Sequence, residues 1–448
     1  MAKIKFMGSA GQVTGSSFLL TTDANEQIMV DFGMFQGGKL LEDLNYEKLD
    51  FKASDLSAIL LTHAHLDHCG RLPLLAYGGF KGKIYMTAPT LSLIEIILND
   101  SAKISMEKKD RFPLYSGEEV EKILNMVEII DYNRPLKIGS FTFNFKDAGH
   151  ILGSSTIEVV INEDGNSKKI IFSGDLGNSP EDLVPPTELI DEADFVVMET
   201  TYGDRLHKKE DSLKIIEEEI NNTDKSGGVL LIPAFSIERT QDLLHKIKHL
   251  KKDGKISQSI PVFLDAPMGI RVTTIFRDFR EFFNDELKAH KTGPFNFEGL
   301  VVTEDQKESR RIIEAMDPKV IIAGSGMMTG GRILHHAQNY LNRPSTTILF
   351  VGYQADETLG RKILEGARNI TIEKKNISVN ARVSQIESLS SHADQEKLMK
   401  WVGHIKGVKK VFLVHGDEDS RKAFREKLKS DLNLSDISLP THNEEFTL

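Results

Sequence analysis

The sequence predicts an α/β protein: a sheet-rich outer domain with helices on its outside, interrupted by an inserted lobe of alternating strands and helices. Three observations carry this. Residues 1–204 read as short apolar strands punctuated by turns, residues 205–367 change to strand–helix alternation, and residues 368–448 return to the first texture.

In chain order, "KIKFMG", "SSFLLTT" and "EQIMVDFG" form an opening meander, with "GSAGQVTGSS" as a tight turn, because it lacks the Gly-Lys-Ser/Thr ending of a phosphate loop. "LSAILL" is a buried strand, "LPLLAYGG" suggests a helix, "KIYMTAP" is a strand, and "LSLIEIILNDSAKISMEKKD" has helical spacing. Phe141, Phe143 and Phe145 alternate in "SFTFNFKDAGH", the period-two pattern of a half-buried strand, and "STIEVVI" and "KKIIFSGDLG" continue the sheet. In the insert, "GGVLLIPAF", "IPVFLDAP", "KVIIAGSG" and "TTILFVGY" are buried strands, as in a parallel sheet. The helix after the first of them has Ser236 as its expected N-cap. Near the end, a helix burying Leu398, Trp401, Val402 and Ile405 precedes the strand "VKKVFLVHGD" and a closing helix.

Composition narrows the class. A formal charge of −10 over 448 residues argues against a surface that coats nucleic acid generally, though not against a local basic groove. The single cysteine, Cys69, rules out an intramolecular disulfide and a cysteine-rich zinc module, and fits a reducing cytoplasm. No signal-peptide pattern and no bilayer-length apolar run is present, so a soluble protein is expected.

The chemistry concentrates in "LTHAHLDHCG", where His63, His65, Asp67 and His68 follow a buried strand. His150, Asp175 and His415 follow other strands in the same way, and the strand ends converge if those strands share a sheet. Imidazoles and carboxylates suit zinc or a similar first-row ion. Five histidines and two aspartates exceed one tetrahedral ion but suffice for two with a shared ligand, the arrangement of hydrolytic two-metal centres. A single structural zinc is the simpler alternative.

"HAHLDH", with Asp31 in "VDFG", resembles the His-x-His-x-Asp-His signature of the metallo-β-lactamase fold, an αββα sandwich. Glu199 in "VVMETTYGDR", His392 in "SLSSHADQ" and His415 in "FLVHGDE", with the large insert, resemble the three motifs of the β-CASP nucleases. These are the family of the cleavage-and-polyadenylation endonuclease and the RNase J enzymes. "PAFSIERTQ", "GSGMMTGGR" and "GYQADETLGR" are similar to its bacterial and archaeal members. The implied architecture is the αββα sandwich with an inserted α/β β-CASP domain. The implied activity is hydrolysis of single-stranded RNA to 5′-phosphate and 3′-hydroxyl ends with two Zn2+ per chain, or Mn2+ in their place. Histidine at position 415 implies RNA, since DNA-cutting members often carry valine there.

The resemblance implies His63, His65 and His150 for one ion, Asp67, His68 and His415 for the other, and Asp175 as the bridge. Asp31 would orient a ligand histidine, Asp67 the attacking water, and His392 would be the general acid held by Glu199. Read on their own, Asp31 is also a turn cap, Glu199 a solvated strand end and His392 an exposed residue before a helix. Ser236, Arg239, Ser325, Gly326, Arg332 and Arg361 are candidates to meet RNA phosphates. A homodimer and other RNA-processing proteins are the open partner classes; no membrane partner is expected. Many archaeal relatives carry amino-terminal RNA-binding domains, so RNA affinity here must come from the chain itself or a partner and should weaken with salt. A small-molecule hydrolase of the same fold, a DNA-repair nuclease and a non-catalytic RNA-processing scaffold are the competing functions.

Overall fold

A computed structural model describes residues 1–107, 111–163, 165–178, 183–289, 293–355 and 357–448. The chain divides into two units, Met1–Leu206 with His392–Leu448, and His207–Ser391.

The first unit is built on two seven-stranded sheets. The predicted meander is there: Lys3–Phe6, Phe18–Thr21 and Gln27–Val30 pair antiparallel in sequence. Gly8 and Gly15 pack so closely in the turn after the first strand that a Cβ on Gly8 would lie 1.7 Å from the Gly15 carbonyl oxygen. Leu56–Leu60, Lys83–Met86 and Val127–Ile129 extend this sheet in parallel, and Glu444–Thr447 closes its other edge. The helix predicted over residues 91–110 runs Ala88–Glu107; residues 108–110 lie outside those described.

In the second sheet Leu136–Ile138, Phe141–Asp147, Ser155–Glu163 and Asn166–Phe172 run antiparallel, then Phe195–Glu199, Lys410–Val414 and Ile437–Ser438 add in parallel. Because strand side chains alternate, Phe141, Phe143 and Phe145 all point inward, against Ile4, Phe6, Leu20, Val30 and Leu60 of the facing sheet. The outward residues Val196, Met198 and Leu413 are covered by Leu398, Trp401, Val402, Phe424 and Leu428, from helices Gln395–His404 and Glu418–Leu432. Met29, Ile59, Ile84 and Met86 on the outer face of the first sheet are equally buried. Burial on both faces explains the continuous apolar runs seen in the sequence. Among the described residues, no helix is long and apolar enough to cross a membrane.

The second unit holds a six-stranded, all-parallel sheet ordered Leu300–Val302, Val262–Asp265, Lys319–Ala323, Val229–Pro233, Thr346–Phe350, Arg382–Gln385. The return to the first unit falls at His392 and not at residue 368 as the texture implied, because Arg382–Gln385 pairs in parallel with Thr346–Phe350 and stays in the insert. The Ser236 cap is also corrected. The helix is Arg239–Lys252, capped by Glu238 at φ 62° and ψ −56°, and the Asp242 N–H bonds the Glu238 carbonyl. Chain direction fixes where chemistry can gather: in the first unit, the carboxyl ends of 141–147, 166–172, 195–199 and 410–414 all lie at one edge of the second sheet.

Candidate metal centre

Four of the site segments leave that edge, and two leave the matching ends of Gln27–Val30 and Leu56–Leu60 in the first sheet. His63 and His65 follow Leu56–Leu60, and a short helix, Leu66–Cys69, turns Asp67 and His68 back toward them. His150, Asp175 and His415 arrive on the other strand ends.

Among the described residues three overlapping donor groups result: His63, His65, His150 and Asp175 in the first, Asp67, His68 and His415 in the second, and Asp175, Glu199 and His415 in a third that shares members with both. In the first, His63 Nε2 and His65 Nδ1 are 3.0 Å apart, His65 Nδ1 and His150 Nε2 3.2 Å. Asp175 Oδ2 lies 3.4 Å from His63 Nε2 and 3.6 Å from His150 Nε2. A tetrahedral ion with bonds of about 2.0 Å has ligand–ligand edges of about 3.3 Å, so these four atoms fit one ion. Asp175 Oδ2 is also 3.4 Å from His68 Nε2, and its Oδ1 is 3.6 Å from His415 Nδ1, so its carboxylate touches the second group as well as the first. In the second group His415 Nε2 is 3.1 Å from Asp67 Oδ2. Asp175 Oδ1 is buried without a hydrogen-bond partner among the described residues, the condition of a carboxylate oxygen made for a cation.

Electrostatics agree at four of these donors and oppose at His68. Burial and the neighbouring histidines hold His63 well below the usual imidazole pKa, and burial takes His65 down to about 4. Burial works against ionisation of Asp67 and Asp175, but the His68 and His415 imidazoles outweigh it, setting Asp67 at about 2 and Asp175 well below the carboxylate range. Lone-pair imidazoles at His63 and His65 beside ionised carboxylates are the protonation states that metal binding requires, whereas burial of His68 is outweighed by Asp175, Asp31 and Asp67, which hold it well above the usual imidazole pKa, so His68 would have to give up a proton to bind a cation.

Asp31 is buried, and its Oδ2 accepts from His68 Nδ1 at 2.7 Å. Its other contacts are the Thr62 N–H and hydroxyl, both at 2.8 Å. His68 Nε2 is thereby turned toward Asp67 and Asp175. Glu199 is buried at its strand end and fixed by the Leu176 N–H, and His392 Nδ1 lies 3.2 Å from its Oε2. Burial lowers the His392 pKa, but the charge and hydrogen bond of Glu199, with Asp175 and Asp67, raise it to about 9. Its ring packs 4.6 Å from that of His150, centroid to centroid, with the side chain 22% exposed.

Thr62 and Thr201 escaped the sequence reading. The Thr62 hydroxyl touches Asp31, His63 and His68, and that of Thr201 lies 3.1 Å from His415 Nδ1. The place of Thr62 next to His63, and of Thr201 two residues after Glu199, was the available signal. Cys69 is buried packing, its thiol against the Ala64 carbonyl.

The six candidate RNA contacts all lie in the second unit. Arg239 is buried against Asp242, and Arg332 donates to Asp265 Oδ1 at 2.5 Å and to the Thr303 and Glu304 carbonyls. Arg361 pairs with Glu365 at 2.7 Å while 40% exposed. Ser236 is partly buried, its carbonyl accepting from Gln241. The Ser325 hydroxyl accepts from the Thr329 N–H, and Gly326 is buried with its carbonyl accepting from Gln354. In the neighbouring "GYQADETLGR" motif, Asp356 lies outside the described residues.

Fold and donor set together define a metallo-β-lactamase-type metal-dependent hydrolase. Three family models match: the metallo-β-lactamase superfamily over residues 10–195, the β-CASP domain over 240–363, and a Zn-dependent metallo-hydrolase RNA specificity domain over 376–440. The chain belongs to the β-CASP family of metallo-β-lactamase-fold enzymes. It is 36% identical to "Ribonuclease TTHA0252" of Thermus thermophilus, covering 98% of each chain. It is 30% identical to an "RNase J-like protein" of Methanocaldococcus jannaschii, over 95% of this chain and 94% of that one. Similarity to "Transcription termination factor FttA" of Pyrococcus horikoshii is 32% over 93% of this chain but 66% of that protein. A crystal structure of a protein of unknown function from Enterococcus faecalis shares the fold, with a TM-score of 0.58, 12% identity and full coverage of both chains.

Proposed function

We propose that this protein is a two-metal ribonuclease that hydrolyses phosphodiester bonds of single-stranded RNA, leaving 5′-phosphate and 3′-hydroxyl ends. The observation that carries it is the pair His392–Glu199, an imidazole 3.2 Å from a buried carboxylate that favours its protonated form, beside the seven side chains His63, His65, Asp67, His68, His150, Asp175 and His415. A metal site alone serves many hydrolases; the added acid suits a poor leaving group such as a ribose 3′ oxygen. The RNA-specificity match and the ribonuclease names of the relatives support RNA as the polymer.

His63, His65 and His150 would hold one Zn2+, Asp67, His68 and His415 a second, and Asp175 would be shared. Mn2+ is the alternative metal. When bound, the two ions supply charge neutralisation at the phosphate and a lowered pKa for nearby water. Asp67 orients the attacking water. As the new phosphorus–oxygen bond forms and the bond to O3′ breaks, His392 donates its Nε2 proton to the departing oxygen, because Nδ1 is engaged by Glu199. Glu199 then restores the acid by favouring the protonated ring. Asp31 keeps His68 in one tautomer and orientation. A chain with one buried cysteine suits the cytoplasm, and a homodimer or other RNA-processing proteins are the partner classes to test.

The test uses zinc-loaded protein, one single-stranded RNA labelled at either end, and DNA of the same sequence. Cleavage of RNA over DNA is expected, slowed about a hundredfold or more in His392→Ala and somewhat less in Glu199→Gln. Equal cleavage by His392→Ala, or turnover of simple esters with no cutting of RNA, would remove the ribonuclease assignment. The fragment pattern from each label separates internal from end-directed attack.

A further inference from the structure

Residues 8–17, the tight turn between the first two strands, touch every member of the second donor group. The Ser9 carbonyl accepts from the His415 N–H at 2.8 Å, and the Ser16 N–H donates to the Asp67 carbonyl at 2.9 Å. The Ser16 hydroxyl oxygen lies 3.4 Å from His68 Nε2. The close approach of Gly8 to Gly15 brings the residues after them, Ser9 and Ser16, side by side, with their hydroxyl oxygens 2.7 Å apart. Arg71 fastens the same turn: it donates to the Ser17 hydroxyl at 2.9 Å, and its guanidinium lies 4.5 Å from the centres of both the Phe32 and Phe35 rings.

Both serines are buried, so each hydroxyl proton must find an acceptor within the protein. The Thr14 carbonyl, which can only accept, sets the order: Ser9 donates to it at 3.2 Å, and Ser16 donates to Ser9. The remaining lone pairs of Ser16 Oγ then face His68. On that ring Nδ1 donates to Asp31, so once the ring is neutral, as ligation requires, Nε2 presents a lone pair as well. Two lone pairs 3.4 Å apart with no proton between them repel, and a cation between them turns the repulsion into attraction. The separation matches those within the donor group itself. His68 Nε2 is 3.4 Å from Asp175 Oδ2 and 3.7 Å from Asp67 Oδ2, and Asp67 Oδ2 is 3.1 Å from His415 Nε2. Ser16, His68, Asp175 and His415 also line one small cavity.

We infer that the Ser16 hydroxyl is a further oxygen donor to the second cation, held in place by its bond to Ser9 and by the glycine turn that pairs them. This rests on the two-metal centre proposed above. The two seats are then unequal. The first has His63, His65, His150 and Asp175, a tetrahedral set dominated by imidazole. The second adds Ser16 to Asp67, His68, His415 and the shared Asp175, a larger set in which oxygen predominates.

The test puts a sulfur where the oxygen is. Full-length wild type and Ser16→Cys are titrated with Co2+, whose thiolate complexes absorb strongly in the near ultraviolet by sulfur-to-metal charge transfer. A thiol at a metal seat is deprotonated and ligates, so Ser16→Cys should gain this absorption, growing in with one of its two cobalt ions and not with the other. Wild type, whose one thiol at Cys69 packs against the Ala64 carbonyl, should lack it. In Ser16→Ala, competition with a chelator should show one of the two Zn2+ ions held about tenfold more weakly and the other unchanged. Folded Ser16→Cys that binds two Co2+ without the absorption would overturn the inference and leave the two-metal centre standing. Ser16→Ala with both zinc affinities equal to wild type would do the same, and it decides alone if Ser16→Cys does not fold. Wild type that saturates at a single ion would instead overturn the two-metal reading, and this inference with it.

Discussion

His68 Nδ1 lies 2.7 Å from Asp31 Oδ2, with both side chains buried. A ligand imidazole whose second nitrogen is bonded to a carboxylate has one tautomer and one orientation, which raises its basicity toward a metal. Asp31→Asn should therefore weaken zinc binding at the His68 site by about 10- to 100-fold while the fold survives. Competition with a chelator of known affinity measures this; unchanged affinity would reduce Asp31 to the turn cap that its sequence position also allows.

Gly33 controls the same ligands from the main chain. A Cβ there would lie 1.6 Å from the Asp67 carbonyl oxygen, and the surrounding bonds (Phe32 N–H to His68, Ser16 N–H to Asp67) leave that segment little room to retreat. Gly33→Ala should cost about 1–3 kcal/mol in urea unfolding and reduce bound zinc together with it. Full zinc content in a stable Gly33→Ala protein would contradict the close approach.

Asp265 makes a pH prediction far from the metal donors in sequence. Its fully buried carboxylate accepts from His336, Ser309, Thr303 and Arg332. Burial alone would raise its pKa, but these four partners hold it below the ordinary carboxylate value. A carboxylate depressed in the folded state stabilises the fold above the unfolded pKa of about 3.9 and loses that contribution as pH falls further. Asp265→Asn should cost about 3 kcal/mol near neutrality. The gap from wild type should narrow below about pH 4, as read from denaturant midpoints across pH. A gap that stays constant in acid would mean Asp265 acts through shape and not charge.

The gathering of these histidines and aspartates was legible in the sequence because strand ends are where a sheet can collect side chains, and His63, His65, Asp67 and His68 crowd one such end. The buried alternation of Phe141, Phe143 and Phe145 was legible for the same reason of period. Less visible were groups whose meaning depends on distant partners. Arg239 and Arg332 look like free cations in a linear reading, yet Asp242 and Ser391 occupy the first and Asp265 the second. Thr62 and Thr201 carry no spacing signal, since a hydroxyl beside an imidazole is set by the backbone and not by a motif. The later boundary of the insert was hidden because a short polar edge strand, Arg382–Gln385, lacks the apolar run of a central one.

Zinc stoichiometry by native mass spectrometry tests the two-metal centre most directly, on wild type and on His65→Ala and His68→Ala, one variant for each of the first two donor groups. Two ions per wild-type chain and one in each variant are expected. Saturation of the wild type at a single ion, or two ions retained in both variants, would contradict a centre built from these residues.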